Sequence, residues 1–233
     1  MEGINTRKLI IGIDEVGTGA IAGPLVVCAC YVPPEHWQTL KEWGFTDSKK
    51  LREEKREYLA KKLKEEGPAL GVAWAYGIVD PIYIDKLTPL DAQNKAARTA
   101  LLLLMRKLDC EFEDIAIILD GNNLLPNVPK TVTQVALPKA DLHYLPVSVA
   151  SVMAKTLRDG EMRLLHDQYP LFNFKRNKGY PTLEHLTALV KVGPMYGIHR
   201  RHYLKNTIRK HYDTYLKGHI KLPDWIEQDK WLS

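Results

Sequence analysis

The sequence is poor in several features, and each shortage removes a class of protein. Its 233 residues hold only three cysteines, Cys28, Cys30 and Cys110, with no Cys-x-x-Cys pair. So odd and sparse a set argues against a disulfide framework and fits reduced thiols in a cytoplasmic protein. Cys28 and Cys30 lie inside an apolar run, where core packing is their expected role. No apolar run approaches the roughly 18 residues of a membrane span, so no membrane partner is expected. The amino terminus lacks the basic-then-apolar pattern of a secretory leader, because the apolar stretch at residue 9 leads straight into charged residues. His143, His166, His199 and His202 have no zinc-type spacing, and none is assigned to a metal. There is no internal repeat and no low-complexity linker.

What is present is a globular composition with an uneven charge. Apolar residues make up 45 % and charged residues 26 %, and the formal charge is +5. Residues 175–221 carry eleven Lys or Arg against two acids, Glu184 and Asp213; this local excess of +9 leaves −4 for the rest. A basic segment beside an acidic remainder fits a polyanionic partner, nucleic acid first, or a solvated basic helix.

Residues 8–13 and 23–32 read as two strands joined by a glycine-rich loop. A charged helix opens near residue 47 and runs to Glu66, where Gly67-Pro68 stops it. Residues 69–79, 115–119 and 131–135 read as further strands, and 91–108, 147–165 and 182–192 as helices. Strands come first and helices alternate with the later ones. The pattern predicts an α/β fold with a mixed sheet flanked by helices. Residues 1–172 are the expected core, and 173–233 a basic helical extension packed on it within one structural domain.

Two apolar runs end in acids: Ile-Gly-Ile-Asp14-Glu15 and Ile-Ile-Leu-Asp120-Gly121. A third acid, Asp141, stands just after another expected strand and before a long helix. Neighbouring strands would bring such ends together, and hard divalent cations would relieve the repulsion. Two such ions about 4 Å apart can activate a water and stabilise the leaving oxygen of a phosphodiester. A lone strand-end Asp is more often a cap or a turn former, and three together weaken that alternative. The loop Gly17-Thr18-Gly19 follows directly; glycines let backbone N–H groups approach a phosphate or sugar. It lacks the Gly-Lys-Ser/Thr ending of a phosphate loop, and its glycine spacing does not fit a dinucleotide fingerprint.

Several segments, taken jointly, resemble the type 2 ribonuclease H family, ribonuclease HII. They are Gly-Ile-Asp14-Glu15-Val-Gly-Thr-Gly-Ala-Ile-Ala-Gly-Pro, Asp47-Ser48-Lys49-Lys50-Leu51, Ile-Leu-Asp120-Gly121, and Lys-Ala-Asp141 with Ser148 to Asp159 beyond it. Asn177-Lys178-Gly179-Tyr180-Pro181-Thr182 and Gly193-Pro194 with His199-Arg200 complete the set, in the family's order over about residues 9–205. The resemblance implies a ribonuclease-H-like mixed sheet with a C-terminal helical extension. It implies an endonuclease that cuts the RNA strand of an RNA–DNA hybrid, including ribonucleotides embedded in duplex DNA. Products would carry 3′-hydroxyl and 5′-phosphate ends. By the same resemblance Asp14, Glu15, Asp120 and Asp141 hold two Mg²⁺ or Mn²⁺ ions, and Tyr180 stacks on a sugar.

One position departs from the family. Most relatives carry Gly-Arg-Gly in the loop, whereas Gly17-Thr18-Gly19 is more like the sister family, ribonuclease HIII. Asp141 as the fourth acid, Tyr180, and the short stretch before the first strand favour ribonuclease HII. The alternatives are ribonuclease HIII-like cutting of ribonucleotide runs only, an inactive hybrid-binding protein, and another metal nuclease on the same fold.

Further substrate contacts are expected at Lys49, Asn94, Ser148, Lys155 and Arg200, against plain surface, capping or packing roles at the same positions. Asp159 is a supporting carboxylate or, beside Arg158, half of a surface ion pair. The tail with Trp225 and Trp231 packs on the body or binds a clamp-like protein. A monomer is expected.

Overall fold

The apolar run near the amino terminus becomes the middle strand of a five-stranded sheet in the computed structural model. The structure describes residues 8–46, 48 and 50–211, and for 205, 206 and 209–211 the backbone alone. Strand β1 (Leu9–Val16) buries every side chain from Ile10 to Asp14. Such a run needs cover on both faces, as parallel-type strands have. It pairs antiparallel with β2 (Leu25–Tyr31), which lies next to β3 (Ala73–Val79) at one edge. On its other side β1 runs parallel to β4 (Ile115–Asp120), and β4 parallel to β5 (Thr133–Leu137). The expected mixed sheet is therefore observed, in the order β3-β2-β1-β4-β5.

Helices α1 (Trp37–Trp43) and α2 (Glu53–Glu66) follow β2. The second starts later than expected because Ser48–Leu51 closes a turn, with the Leu51 N–H on the Ser48 carbonyl. Strand β3 is shorter than the 69–79 expected, because Gly67–Leu70 forms a 3₁₀ turn ended by a left-handed Gly71. After it come α3 (Pro81–Ile84) and α4 (Pro89–Leu108), whose proline at the first helical position suits the missing donor there. Strand β5 starts two residues beyond the expected 131, since the Val132 N–H turns back onto the Pro129 carbonyl. Helices α5 (Leu145–Gln168), α6 (Phe174–Asn177), α7 (Leu183–Val192) and α8 (Arg201–His211) complete the order. No described helix is long and apolar enough to cross a membrane.

Contacts divide the chain into two compact units that interleave along the sequence. Unit 1 holds the chain up to Val16, Val26–Ile78 and Gln93–Leu157. Its sheet packs Val26, Cys28 and Cys30 of β2 with Leu59 and Leu63 of α2 and Val149 and Met153 of α5. A side chain at Gly12 would place its Cβ 2.3 Å from the Pro146 carbonyl carbon, so the start of α5 lies directly on β1. Gly77 on β3 meets α4 in the same way, with the Ala96 carbonyl in the place a Cβ would take.

Unit 2 holds Gly17–Leu25, Val79–Ala92 and the chain from Arg158 onward. Its core gathers Ile21, Met162, Phe172, Phe174, Leu186, Leu189, Ile198, Leu204 and Ile208. The sequence suggested a division at 172/173, whereas the last segment of unit 2 opens at Arg158, within α5.

Candidate active site

The sheet's connectivity sets the acids at one edge. Strands β1, β4 and β5 are parallel, and their carboxyl ends share an edge, where open α/β sheets bind ligands. Ile13 pairs with Leu119, so the next residue on each strand is an acid, Asp14 or Asp120. Strand β5 ends at Leu137, and a short 3₁₀ turn, Ala140–Leu142, carries Asp141. The Ala140 N–H donates to Asp120 Oδ1 at 2.9 Å, fastening this turn to the end of β4.

Asp14 is 7 % exposed. Burial first, then the charges of Glu15 and Asp120, push its carboxyl up to about 8. A hydrogen bond from Ser151 on α5 and the Glu15 N–H, 2.8 Å from Oδ1, pull the other way. The Ser151 hydroxyl in turn lies 2.7 Å from that of Ser48, which anchors it. Glu15 faces elsewhere, since successive strand residues alternate between faces. It lines a cleft with Asp120, Asn94, Asn122 and Asn123.

This donor set fits a hard divalent cation. All donors are carboxylate oxygens, and the Asp14 carboxyl is raised by burial first and then by the charges of Glu15 and Asp120, a cost that a cation would offset. The acids share an edge without closing into a cage. Among the described residues no three Asp, Glu, His or Cys side chains are gathered tightly enough to hold an ion. The alternation of Asp14 and Glu15 on one strand accounts for part of that spacing.

The glycine loop belongs to unit 2, where two buried arginines shape it. Arg200 is fully enclosed and donates from Nη1 to the carbonyls of Gly17 (2.6 Å) and Thr18 (3.3 Å), and from Nε to that of Gly23 (3.0 Å). Arg158 donates to the carbonyls of Pro24 (2.9 Å), Lys178 (2.8 Å) and Ala22 (3.1 Å). Burial lowers both guanidinium pKa values, Arg200 to about 10 with help from its neighbour Arg158. Gly17 has φ +92°, and a Cβ there would fall 2.2 Å from Arg158 Nε, so two requirements select glycine. Gly19 has open space around it. The N–H groups of Thr18 and Gly19 find no acceptor among the described residues.

Tyr180 is half-buried, with the Arg158 guanidinium 5.5 Å from its ring centre. The Gly179 carbonyl before it accepts from the N–H groups of Ile21 (2.9 Å) and Ala22 (3.2 Å). The tyrosine turn and the loop segment are thus one hydrogen-bonded assembly.

Several expected contacts change role. Arg200, expected on the nucleic acid, is enclosed, with Nε and Nη1 on loop carbonyls and Nη2 buried without a partner among the described residues, so its side chain is not open to a substrate. Arg158 and Asp159 are both enclosed and form no surface ion pair. Ser148 is 2 % exposed and its Oγ has no partner among the described residues. Asn94 is half-buried in the cleft of Glu15 and Asp120, and Lys155 is half-buried on α5. Lys49 and the tryptophan tail lie outside the described residues. Ser151 and Arg158 were not expected as parts of a site. The stripe Ser151, Arg158, Met162 on the buried side of α5 was the available signal for both.

The family model of Ribonuclease HII matches residues 11–212. A Ribonuclease HII of Caldanaerobacter subterraneus subsp. tengcongensis is 38 % identical over 208 residues, covering 89 % of this chain and 78 % of its own. Among solved structures, the ribonuclease H2 from Pyrococcus horikoshii OT3 matches with a TM-score of 0.68 at 27 % identity, over 90 % of this chain and 99 % of that one. The RNase HII of the PCNA:RNase HII complex from Archaeoglobus fulgidus shares the fold, with a TM-score of 0.66, 23 % identity, and 93 % and 99 % coverage.

Proposed function

The chain belongs to the ribonuclease HII family and is a metal-dependent endonuclease of the ribonuclease H type, and we propose that it acts through two ions held by Asp14, Glu15, Asp120 and Asp141. Its substrates are RNA–DNA hybrids and single ribonucleotides embedded in duplex DNA. The observation that carries this reading is that acids stand near or just beyond the carboxyl ends of three adjacent parallel strands.

Mg²⁺ or Mn²⁺, when bound, would supply an activated water and a stabilised leaving oxygen. The chain's own residues do the rest. Ser151 and the Glu15 N–H orient the Asp14 carboxyl, and the Ala140 N–H orients that of Asp120. The 2′-hydroxyl is read and not consumed, because the products carry 3′-hydroxyl and 5′-phosphate ends. Reading it falls to the N–H groups of Thr18 and Gly19 and to the sugar stacked on Tyr180, which is how RNA is told from DNA at one position. The relative seen with PCNA supports a clamp-type partner here too, tested by deleting residues 224–233 and measuring clamp binding.

The deciding experiment is cleavage of a labelled DNA duplex with one ribonucleotide, in Mg²⁺ or Mn²⁺, beside an Asp120→Asn control. The expected result is a cut 5′ to the ribonucleotide that the control lacks. Cutting only of long hybrids would mean ribonuclease HIII-like specificity. No cutting of either substrate would leave a hybrid-binding protein.

A further inference from the structure

Unit 2 contains a buried pair of histidines that the reaction does not use. His185, in the first turn of α7, is 0 % exposed, and His199, just before α8, is 1 % exposed. Their Nε2 atoms lie 3.1 Å apart. The Met195 N–H lies 2.9 Å from His199 Nδ1, and His185 Nδ1 lies 2.9 Å from the Tyr180 carbonyl oxygen. The rings of Phe172 and Phe174 pack around the pair, one 4.7 Å from the His199 ring and the other 5.3 Å from that of His185.

The two ends of this chain have fixed roles, and they determine the middle. A backbone N–H only donates, so His199 Nδ1 must accept. A neutral His199 then carries its proton on Nε2 and donates it to His185 Nε2. His185 therefore carries its proton on Nδ1, where it meets a carbonyl, which only accepts. No other placement of protons satisfies all three bonds. A second proton on His199 would set two N–H groups against each other at Met195, and one on His185 would do the same between the rings. Burial agrees, pushing His185 down to about 4 and His199 to about 3.

The relay joins two segments that matter for recognition. The backbone of His199 bridges Ala22, the Arg200 N–H binds the Ile21 carbonyl at 2.8 Å, and the Gly23 N–H binds that of Ile198 at 2.8 Å. His199 is thus registered against the segment that continues the Gly17–Gly19 loop. At the other end the relay terminates on the carbonyl of Tyr180, which also accepts from the Thr182 N–H at 2.8 Å. A backbone carbonyl fixed by two donors fixes the Tyr180 backbone, and with it the point from which the side chain projects.

We propose that His199 and His185, in fixed opposite tautomers, are positioning residues that set Tyr180 in register with the Gly17–Gly19 loop for recognition of a single ribonucleotide. This rests on the reading of Tyr180 as a sugar contact. The proton arrangement does not, and can be tested separately.

The first measurement is long-range ¹H–¹⁵N correlation on the intact wild-type protein at neutral pH. It should show His185 protonated at Nδ1 and His199 at Nε2, and any other tautomer pair overturns the relay. The second is steady-state kinetics of His185→Phe and His185→Asn on a single-ribonucleotide duplex and on a long hybrid. Phe keeps the bulk without a donor, whereas Asn restores a donor near the Nδ1 position. His185→Phe should raise KM on the single-ribonucleotide duplex about tenfold, as for one lost hydrogen bond, with a smaller change on the long hybrid and recovery in His185→Asn. Equal losses on both substrates, or no rescue by Asn, would reduce the pair to packing. Should the Phe variant not fold, the tautomer measurement still decides the relay. Tyr180→Ala serves as the control: unchanged single-ribonucleotide cleavage there would overturn the recognition role while the spectra judged the relay alone.

Discussion

Without metal, the protein should lose stability as the pH rises, and Asp14 should be the cause. Its carboxyl is buried and raised from 3.8 to about 8, chiefly by desolvation and then by Glu15 and Asp120. In the unfolded chain it returns near its ordinary value. Between those two values the folded state therefore holds a proton that the unfolded state has released. A raised carboxyl favours the folded state at low pH and disfavours it as pH climbs, with a slope of about 1.4 kcal/mol per pH unit. From pH 5 to pH 7 the loss is about 3 kcal/mol. For a chain of this length that corresponds to a fall of roughly 6–12 °C in Tm.

The assay is thermal unfolding followed by circular dichroism in EDTA at pH 5, 6 and 7, for wild type and Asp14→Asn. The difference between the two isolates Asp14 from every other titrating group. The Tm of wild type should drop with pH relative to that of the variant, which carries no proton there to lose. At pH 7 the inactive variant should be the more stable of the two. Adding Mg²⁺ or Mn²⁺ should raise the wild-type Tm and leave the variant nearly unmoved, because only a site that binds the ion is stabilised by it. Parallel pH profiles in EDTA would refute the reasoning, since they would mean that Asp14 carries the same charge folded and unfolded.

Gly19→Ala should fold with a Tm near that of wild type, because nothing lies within 4 Å of the added Cβ, yet raise KM on the ribonucleotide duplex if a sugar approaches this backbone. Gly17→Ala should lose stability outright, since the same change meets Arg158 and a positive φ; equal Tm values for both variants would contradict this. Arg158→Met should cost about 3 kcal/mol or more in a denaturant melt, since it strands three carbonyls in unit 2. Thr18→Arg should lower KM several-fold on every duplex at low salt, by adding a phosphate contact, and leave the preference for ribonucleotide over DNA unchanged.

The sheet and its acids were legible because their signals are local. An apolar run that stops at a carboxylate marks a strand near its end: β4 ends at Asp120, and β1 continues only two residues past Asp14. The shifted boundaries, at β3, β5 and α2, are places where a turn hydrogen bond or a left-handed glycine overrides propensity. The arginine and histidine roles were not legible because their partners are remote in sequence. Arg200 reaches Gly17 across 183 positions, and Arg158 reaches Pro24 across 134. A basic residue in a basic segment reads as a nucleic-acid contact until burial shows where its donors go. His185 gave no signal, since its partner His199 lies 14 residues away with no metal-type spacing.

The departure at Thr18 looks different once the loop's carbonyls are accounted for. Arg200 draws the Gly17 and Thr18 carbonyls inward. In a trans peptide the N–H points opposite to the carbonyl, so the N–H groups of Thr18 and Gly19 turn away from Arg200, and both are left without an acceptor among the described residues. That orientation is set by a residue far along the chain and does not depend on the side chain at position 18. Under the proposed function, discrimination between ribose and deoxyribose resides in backbone groups that Thr18 leaves intact. An arginine at that position would add attraction for any phosphate, which serves affinity for duplexes in general. On that proposal the loop can lose its guanidinium and keep its means of telling RNA from DNA.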